Sequence, residues 1–169
     1  MIDTSQIRES VAAICRKFGE EYWRDLDKKK EYPTDFVKEM TTSGFLNILI
    51  PQEYGGAGLG LKEACVVLEE ISLQGAHAGA CHAQMYVMGT LLRHGSERQK
   101  KEFLPKISSG ELRLQSFAVT EPNSGTDTTS IKTTAKKING GWTISGQKEC
   151  IIGVDENYPK MTIPTKRKV

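Results

Sequence analysis

The sequence has no Cys-x-x-Cys pair, no internal repeat, and no apolar run near the roughly 18 residues that a membrane-crossing helix needs. A membrane span and a solenoid are therefore not expected. Its four cysteines, Cys15, Cys65, Cys81 and Cys150, stand far apart with no metal-ligand spacing. That excludes a disulfide framework and a zinc cluster, and it suits reduced thiols in a cytoplasmic compartment. Cys81 and His82 are neighbours that leave a helix in different directions, so they predict no shared metal site. The N-terminal stretch carries Asp3 and Glu9 and lacks the apolar centre of a signal peptide and the arginines of a transit peptide. A basic face is also missing. Four of the positive charges, Lys160, Lys166, Arg167 and Lys168, lie in the last ten residues, and removing them takes the formal charge from +2 to −2. Nucleic acid is not an expected partner of such a surface, and the basic tail reads as solvated.

What is present is an ordinary globular make-up, 38% apolar and 26% charged, over 169 residues, enough for one domain or two small ones. Residues 5 to about 30 read as one helix, with Ser5 as its N-cap and Ile7, Val11, Ile14, Phe18 and Tyr22 recurring every three or four positions. Pro33 starts a second helix through Phe36, Val37 and Met40, stopped by Gly44. The run Tyr54-Gly55-Gly56-Ala57-Gly58-Leu59-Gly60 predicts a tight loop. It lacks the Gly-Lys-Ser/Thr of a P-loop, which weakens a phosphate-cradling reading. Leu61 to Leu73 follows as a helix with Leu61, Cys65, Leu68 and Ile71 as its apolar stripe. Residues 76 to 93 form a helix rich in alanine and glycine, carrying His77 and His82 as structural histidines. Ser96 and Gln99 form a capping box for a fifth helix that bends or ends near Pro105.

After Ser108-Ser109-Gly110 the pattern changes. Residues 112–119 and 131–138 are strand-like, and Asn139-Gly140 signals a type I′ hairpin before Trp142-Thr143-Ile144. Helices first and antiparallel strands afterwards predict an α+β fold, with a boundary between residues 1–111 and 112–169. The missing strand–helix alternation argues against a nicotinamide-binding fold.

The densest chemistry lies between Phe117 and Ala135. Thr120, Ser124, Thr126, Thr128, Thr129 and Ser130 bring six hydroxyls into eleven residues around Gly125. Such a loop offers neutral donors to an electron-rich ligand without a mobile positive charge. A flavin ring asks for this, since its reduction places negative charge along the N1–C2=O edge. A plain hairpin loop made of turn-forming residues satisfies the same composition.

The order of residues narrows the choice. Val119-Thr120-Glu121-Pro122, then Gly125-Thr126-Asp127 and Ile131-Lys132-Thr133, resembles the flavin loop of the acyl-CoA dehydrogenase family. Ile50-Pro51-Gln52-Glu53-Tyr54-Gly55-Gly56 is similar to its Pro-x-Glu-Tyr-Gly-Gly segment. His94-Gly95-Ser96-Glu97-Arg98-Gln99-Lys100 is similar to its His-Gly-Ser-x-x-Gln-Lys run, and Gly146-Gln147-Lys148 to its Gly-Gln-Lys turn. The four blocks fall in family order over residues 5 to 153.

The resemblance implies an all-helical N-terminal domain followed by an incomplete antiparallel β-barrel domain. It implies FAD as cofactor, with Phe117, Val119, Thr120, Gly125, Thr126, Cys150 and Ile152 at cofactor-binding positions. Thr126 also falls at a substrate-binding position, on the thioester of an acyl-CoA. The segment around His82 falls where the family's helices face the acyl chain, which implies a lining role for Gln84 or Met85. The implied reaction is α,β-dehydrogenation of an acyl-CoA, an oxidoreductase activity of fatty acid metabolism, with electron-transfer flavoprotein as acceptor and a homo-oligomer as the family's assembly. Two departures stand out. Where the family usually places an aromatic residue, Ile, then Thr or Ser, this sequence has Cys150, Ile151 and Ile152. The family also continues into a C-terminal helical domain that supplies the catalytic glutamate. The expectation is therefore a truncated chain, inactive alone, with no catalytic and no metal-binding residue assigned. A non-catalytic helical module binding acyl-CoA is the alternative, and it requires binding without FAD.

Overall fold

The structure, a computed structural model, describes residues 3–151. It is α+β, and the chain divides into two compact units after Leu114. The first unit holds six helices where the sequence suggests five, because the first predicted helix is two.

Helix α1, Thr4–Cys15, is capped by Asp3, whose carboxylate accepts from the Ser5 amide at 2.9 Å, so the cap lies two residues before the expected Ser5. Gly19, in extended conformation, then opens α2, Glu20–Lys29. The break has a packing reason. The Trp23 indole donates to the Phe18 carbonyl at 3.0 Å across it. Phe18, Tyr22 and Trp23 thereby gather with Phe36, at ring separations of 4.9 Å for Trp23–Phe36 and 5.4 Å for Phe18–Phe36. Helix α3, Thr34–Thr42, starts after Pro33 and buries Phe36, Val37, Met40 and Thr41, and Gly44 follows its end at φ +79°.

Helix α4, Leu61–Leu73, has the predicted bounds but a different buried face. Ala64, Val67 and Ile71 point inward, whereas Leu61 is 74% exposed and Cys65 is exposed. Packing against α1 sets the rotation: Arg8 reaches from α1 to both Glu69 and Glu70, at 3.3 Å for Glu70. Val11, Phe36, Met40, Leu46, Val67, Ile71 and Cys81 make the main core.

Helix α5, Gly79–His94, begins three residues later than expected. His77 and His82 are exposed rather than core residues, and the His82 ring packs edge-on against Tyr86 at 5.1 Å. Gln84, also on α5, is 1% exposed and its Oε1 has no hydrogen-bond partner. Helix α6, Glu97–Ser109, carries the expected capping box between Ser96 and Gln99. It runs through Pro105 without ending, because Leu104 and Ile107 on either side are fully buried with Ile50, Tyr54 and Met88 in a second cluster.

In the second unit, β1, Thr134–Ile138, pairs antiparallel with β2, Gly141–Ser145, in a register from Thr134↔Ser145 to Ile138↔Gly141. Only Gly140 in the turn has a positive φ, +83°, so the turn is not type I′, which needs two such residues. No strand covers residues 112–119 among the described residues; Phe117 alone occupies a bridge position. Apolar alternation signals an extended chain, but a strand also needs a ladder.

Phe36→Ala, which removes the ring at the centre of the aromatic group, is expected to cost about 3–5 kcal/mol in urea unfolding. Leu61→Ser and Leu73→Ser, on exposed positions, are expected to stay within about 0.5 kcal/mol.

Candidate functional site

The Gly-rich run is eliminated first. The amides of Gly55, Gly56, Gly58 and Leu59 donate to the carbonyls of Gln52, Pro51, Ile50 and Ile48, and the Gly60 amide donates to the Glu63 carboxylate. A β-carbon on Gly56 would sit 2.0 Å from the Ile50 carbonyl oxygen. The glycines allow the chain to fold back on itself, and these donors are already taken. Four of the five act as a turn within the protein rather than as a phosphate cradle, and the fifth caps α4.

The hydroxyl-rich loop is built differently. Two of the four blocks picked out in the sequence, the flavin-loop block and the Gly-Gln-Lys block, meet at one side chain, Glu121, which is buried. Its Oε2 accepts from the Lys132 amide at 2.7 Å. Its Oε1 accepts from the Thr133 amide at 3.0 Å, from the Thr133 hydroxyl, and from Lys148 Nζ at 2.9 Å. The Thr133 hydroxyl, the Lys132 amide and the Lys148 ammonium together hold this carboxyl well below the usual range, at about 2. Gly146 lets the Gly-Gln-Lys block approach: a β-carbon there would lie 2.1 Å from Thr133 Oγ1.

The same clamp organises the backbone ahead of it. Lys148 Nζ donates to the Val119 carbonyl at 2.9 Å, and the Glu149 amide donates to the Thr120 carbonyl at 2.8 Å. Both carbonyls are therefore used inside the protein. The amides of Val119 and Thr120 and the Thr120 hydroxyl have no partner among the described residues. Acceptors are tied back, and neutral donors are left over on a half-buried stretch.

Farther along, the loop is closed by its own groups. Glu121 and Ser124 exchange backbone hydrogen bonds at 2.9 and 3.0 Å. The Ser124 hydroxyl donates to the Asp127 carbonyl, and Asp127 accepts from the Thr129 amide at 3.1 Å and from the hydroxyls of Thr129 and Ser130. The Ser130 and Thr129 hydroxyls lower the Asp127 pKa. Of the six loop hydroxyls, Ser124, Thr129 and Ser130 are thus structural. Those of Thr120, Thr126 and Thr128 have no partner among the described residues.

The residues singled out from the sequence are placed as follows. Val119 and Thr120 are half-buried and joined to the 148–149 segment. Gly125 and Thr126 are exposed at the loop tip, and no atom lies within 4 Å of a β-carbon built on Gly125. Phe117 and Cys150 are exposed, the latter at φ +51°, and Ile152 lies outside the described residues. Sequence reasoning passed over Glu121, Thr133 and Lys148 as a unit. Their signal was present, since each sits inside a quoted motif and none has an evident surface role. No group of three or more metal-ligating side chains occurs among the described residues, and no helix there is long and apolar enough to cross a membrane.

Because the folded pKa of Glu121 is depressed from 4.5 to about 2, its contribution to stability is full above pH 4.5 and is lost as pH falls through about 2. An acid titration followed at the Lys132 and Thr133 amide resonances is expected to show this loss, and Glu121→Gln is expected to remove its pH dependence. Gly146→Ala is expected to displace Thr133 and perturb the same two resonances at neutral pH.

Comparison with known proteins agrees with this geometry. Residues 3–111 match the family model for the acyl-CoA dehydrogenase N-terminal domain, and residues 116–162 match that for the acyl-CoA dehydrogenase middle domain. Acyl-CoA dehydrogenase FadE12 of Mycobacterium tuberculosis is 36% identical over 151 residues, which is 89% of this chain and 39% of that protein. Among solved structures, the glutaryl-coenzyme A dehydrogenase glutaryl-CoA complex is 31% identical with a TM-score of 0.76, covering 88% of this chain and 38% of the other. An acyl-CoA dehydrogenase complexed with FAD from Bacillus anthracis is 28% identical with a TM-score of 0.75, covering 88% and 26%. The chain spans well under half the length of these relatives, across their helical domain and the start of the next. A helical unit, a clamped hydroxyl loop and two consecutive family matches lead to one conclusion: the chain belongs to the acyl-CoA dehydrogenase family.

Proposed function

We propose that this chain forms the N-terminal helical domain, residues 1–111, and part of the middle domain, residues 112–169, of a flavin-dependent acyl-CoA dehydrogenase. The observation that carries the reading is the leftover donor set at Val119 and Thr120, whose carbonyls are held by Lys148 and Glu149. Two amides and a hydroxyl, all neutral, suit the electron-rich edge of an isoalloxazine. The donors present fit FAD, with Val119 and Thr120 holding its polar edge and Phe117, Gly125 and Cys150 at its margins. When bound, FAD supplies the acceptor for a hydride from the acyl β-carbon. Thr126, whose hydroxyl has no partner among the described residues, is the proposed donor toward the acyl-CoA thioester. Gln84 and Met85, buried on α5, are the proposed acyl-facing residues.

No catalytic base is assigned. Removing the α-proton calls for a group whose pKa lies near the working pH. Glu121 is held ionised at about 2 and its oxygens are occupied, so it is a structural acid anion and not that group. The 169-residue polypeptide alone is therefore proposed to bind without turning over. Electron-transfer flavoprotein is the proposed acceptor and a homo-oligomer the proposed assembly, with a reducing compartment such as the cytoplasm suiting its four free cysteines.

Titrating the purified chain with FAD is expected to give saturable quenching of flavin fluorescence. Thr120→Val, which removes one donor worth about 1 kcal/mol, is expected to weaken binding roughly fivefold. A panel of acyl-CoAs with a dye acceptor is expected to give no sustained turnover. Absence of FAD binding, or saturable acyl-CoA binding by calorimetry with no flavin present, would overturn the reading.

A further inference from the structure

The Glu121–Lys148 pair has more connections than an ion pair needs. Lys148 Nζ is shared between the Glu121 carboxylate and the Val119 carbonyl, both at 2.9 Å. Its side chain is 13% exposed and that of Glu121 is 3% exposed, so the pair is shielded from solvent. Glu121 follows Thr120 directly, and its carboxylate fixes Lys132 and Thr133 on the far side of the loop. Glu149 follows Lys148 directly and holds the Thr120 carbonyl. Rotation of the Val119–Thr120 peptide plane is thus opposed by Lys148, and rotation of the Thr120–Glu121 plane by the Glu149 amide. Turning a carbonyl toward one partner turns the amide of the same peptide plane to the other side.

We infer that Glu121 and Lys148 are positioning residues for the cofactor: as one unit, they orient the Val119–Thr120 peptide so that the Thr120 amide stays available to an electron-rich ligand edge. This rests on the flavin reading above, but the orienting role belongs to the protein alone and can be measured without flavin. The pair touches no reacting atom. A neutral Gln at position 121 brings an NH2 group against donors that need an acceptor, and a Met at position 148 leaves the Val119 carbonyl and a buried carboxylate unpaired.

The test uses the full chain and the variants Glu121→Gln, Lys148→Met, the double variant, and Lys148→Arg as the charge-conserving rescue. Amide exchange by NMR is read at Lys132, Thr133 and Glu149, with the amides of α4 and α6 as internal references, and FAD affinity is read by fluorescence. Each single variant is expected to speed exchange at Glu149 at least tenfold, shift the Val119 and Thr120 resonances, and weaken FAD binding roughly tenfold or more, as loss of a charge-assisted hydrogen bond implies. The double variant is expected to be no worse than either single one, and Lys148→Arg to recover most of the affinity. Unchanged Glu149 exchange in Lys148→Met would overturn the proposal. So would additive losses in the double variant, or a uniform rise in exchange across residues 115–151, which would make the pair a general support of the unit. If the parent chain fails to bind FAD, the flavin reading falls, and the exchange data alone then decide whether the pair orients Val119 and Thr120.

Discussion

A buried carboxylate with four donors around it is the constraint on which the second unit depends. Glu121 replaces a conventional hydrophobic core in a segment whose strands are too short and exposed to bury one. Burial patterns along β1 and β2 show half-exposed or exposed positions throughout, and Trp142 is 52% exposed. An ionised group out of water is costly unless each lone pair is met. Here two amides, a hydroxyl and an ammonium meet them, and the cost of breaking any one is what keeps the loop in a single shape.

The helical unit reaches its rigidity by the opposite route. Its main core is apolar, and its helix break after α1 is set by ring packing among Phe18, Tyr22, Trp23 and Phe36. Charge enters at the edges, as in the Arg8 contacts to Glu69 and Glu70, where it fixes helix rotation more than it adds stability. The buried Gln84 is the exception. It is a polar group with one oxygen unpaired inside an apolar layer, where an unmade hydrogen bond is otherwise avoided.

Much of this was legible in the sequence, and the failures share a cause. The bounds of α4, the capping box of α6 and the β1–β2 hairpin came from local signals: periodicity, a Ser-x-x-Gln pair, an Asn-Gly step. What failed needed tertiary information. Nothing in the run from Ser5 to Lys30 says that Phe18 must turn to meet Phe36, so one helix was read where two exist. On α4, Ile71 and the half-buried Leu68 face the core as the stripe predicts, whereas Leu61 and Cys65 turn outward and Ala64 and Val67 take their place, because α1 sets the rotation. Local propensity predicts a bend or an end near Pro105, because the burial of Leu104 and Ile107 that carries the helix through lies outside it. At the candidate site, the hydroxyl content of the loop was visible, but its division into structural and free groups was not. That division follows from Asp127 and Glu121 acting as acceptors, which only the folded loop reveals.

The departures at residues 150 and 152 acquire a physical meaning beside this clamp. On the proposed function, the polar side of the cofactor site would depend on backbone donors at Val119 and Thr120, which are insensitive to their own side chains so long as Glu121 and Lys148 hold this stretch. The flat face and the N5 side depend on side chains. There the sequence offers Cys150, exposed and in left-handed conformation, where an aromatic wall is expected, and Ile152, which has no hydroxyl to donate. Backbone-mediated recognition tolerates substitution, whereas recognition by a ring face does not. This chain's hold on a flavin would therefore be asymmetric, with polar-edge recognition kept and ring stacking weakened. Affinity then falls disproportionately on the few hydrogen bonds that remain, and with it on the pair that orients them.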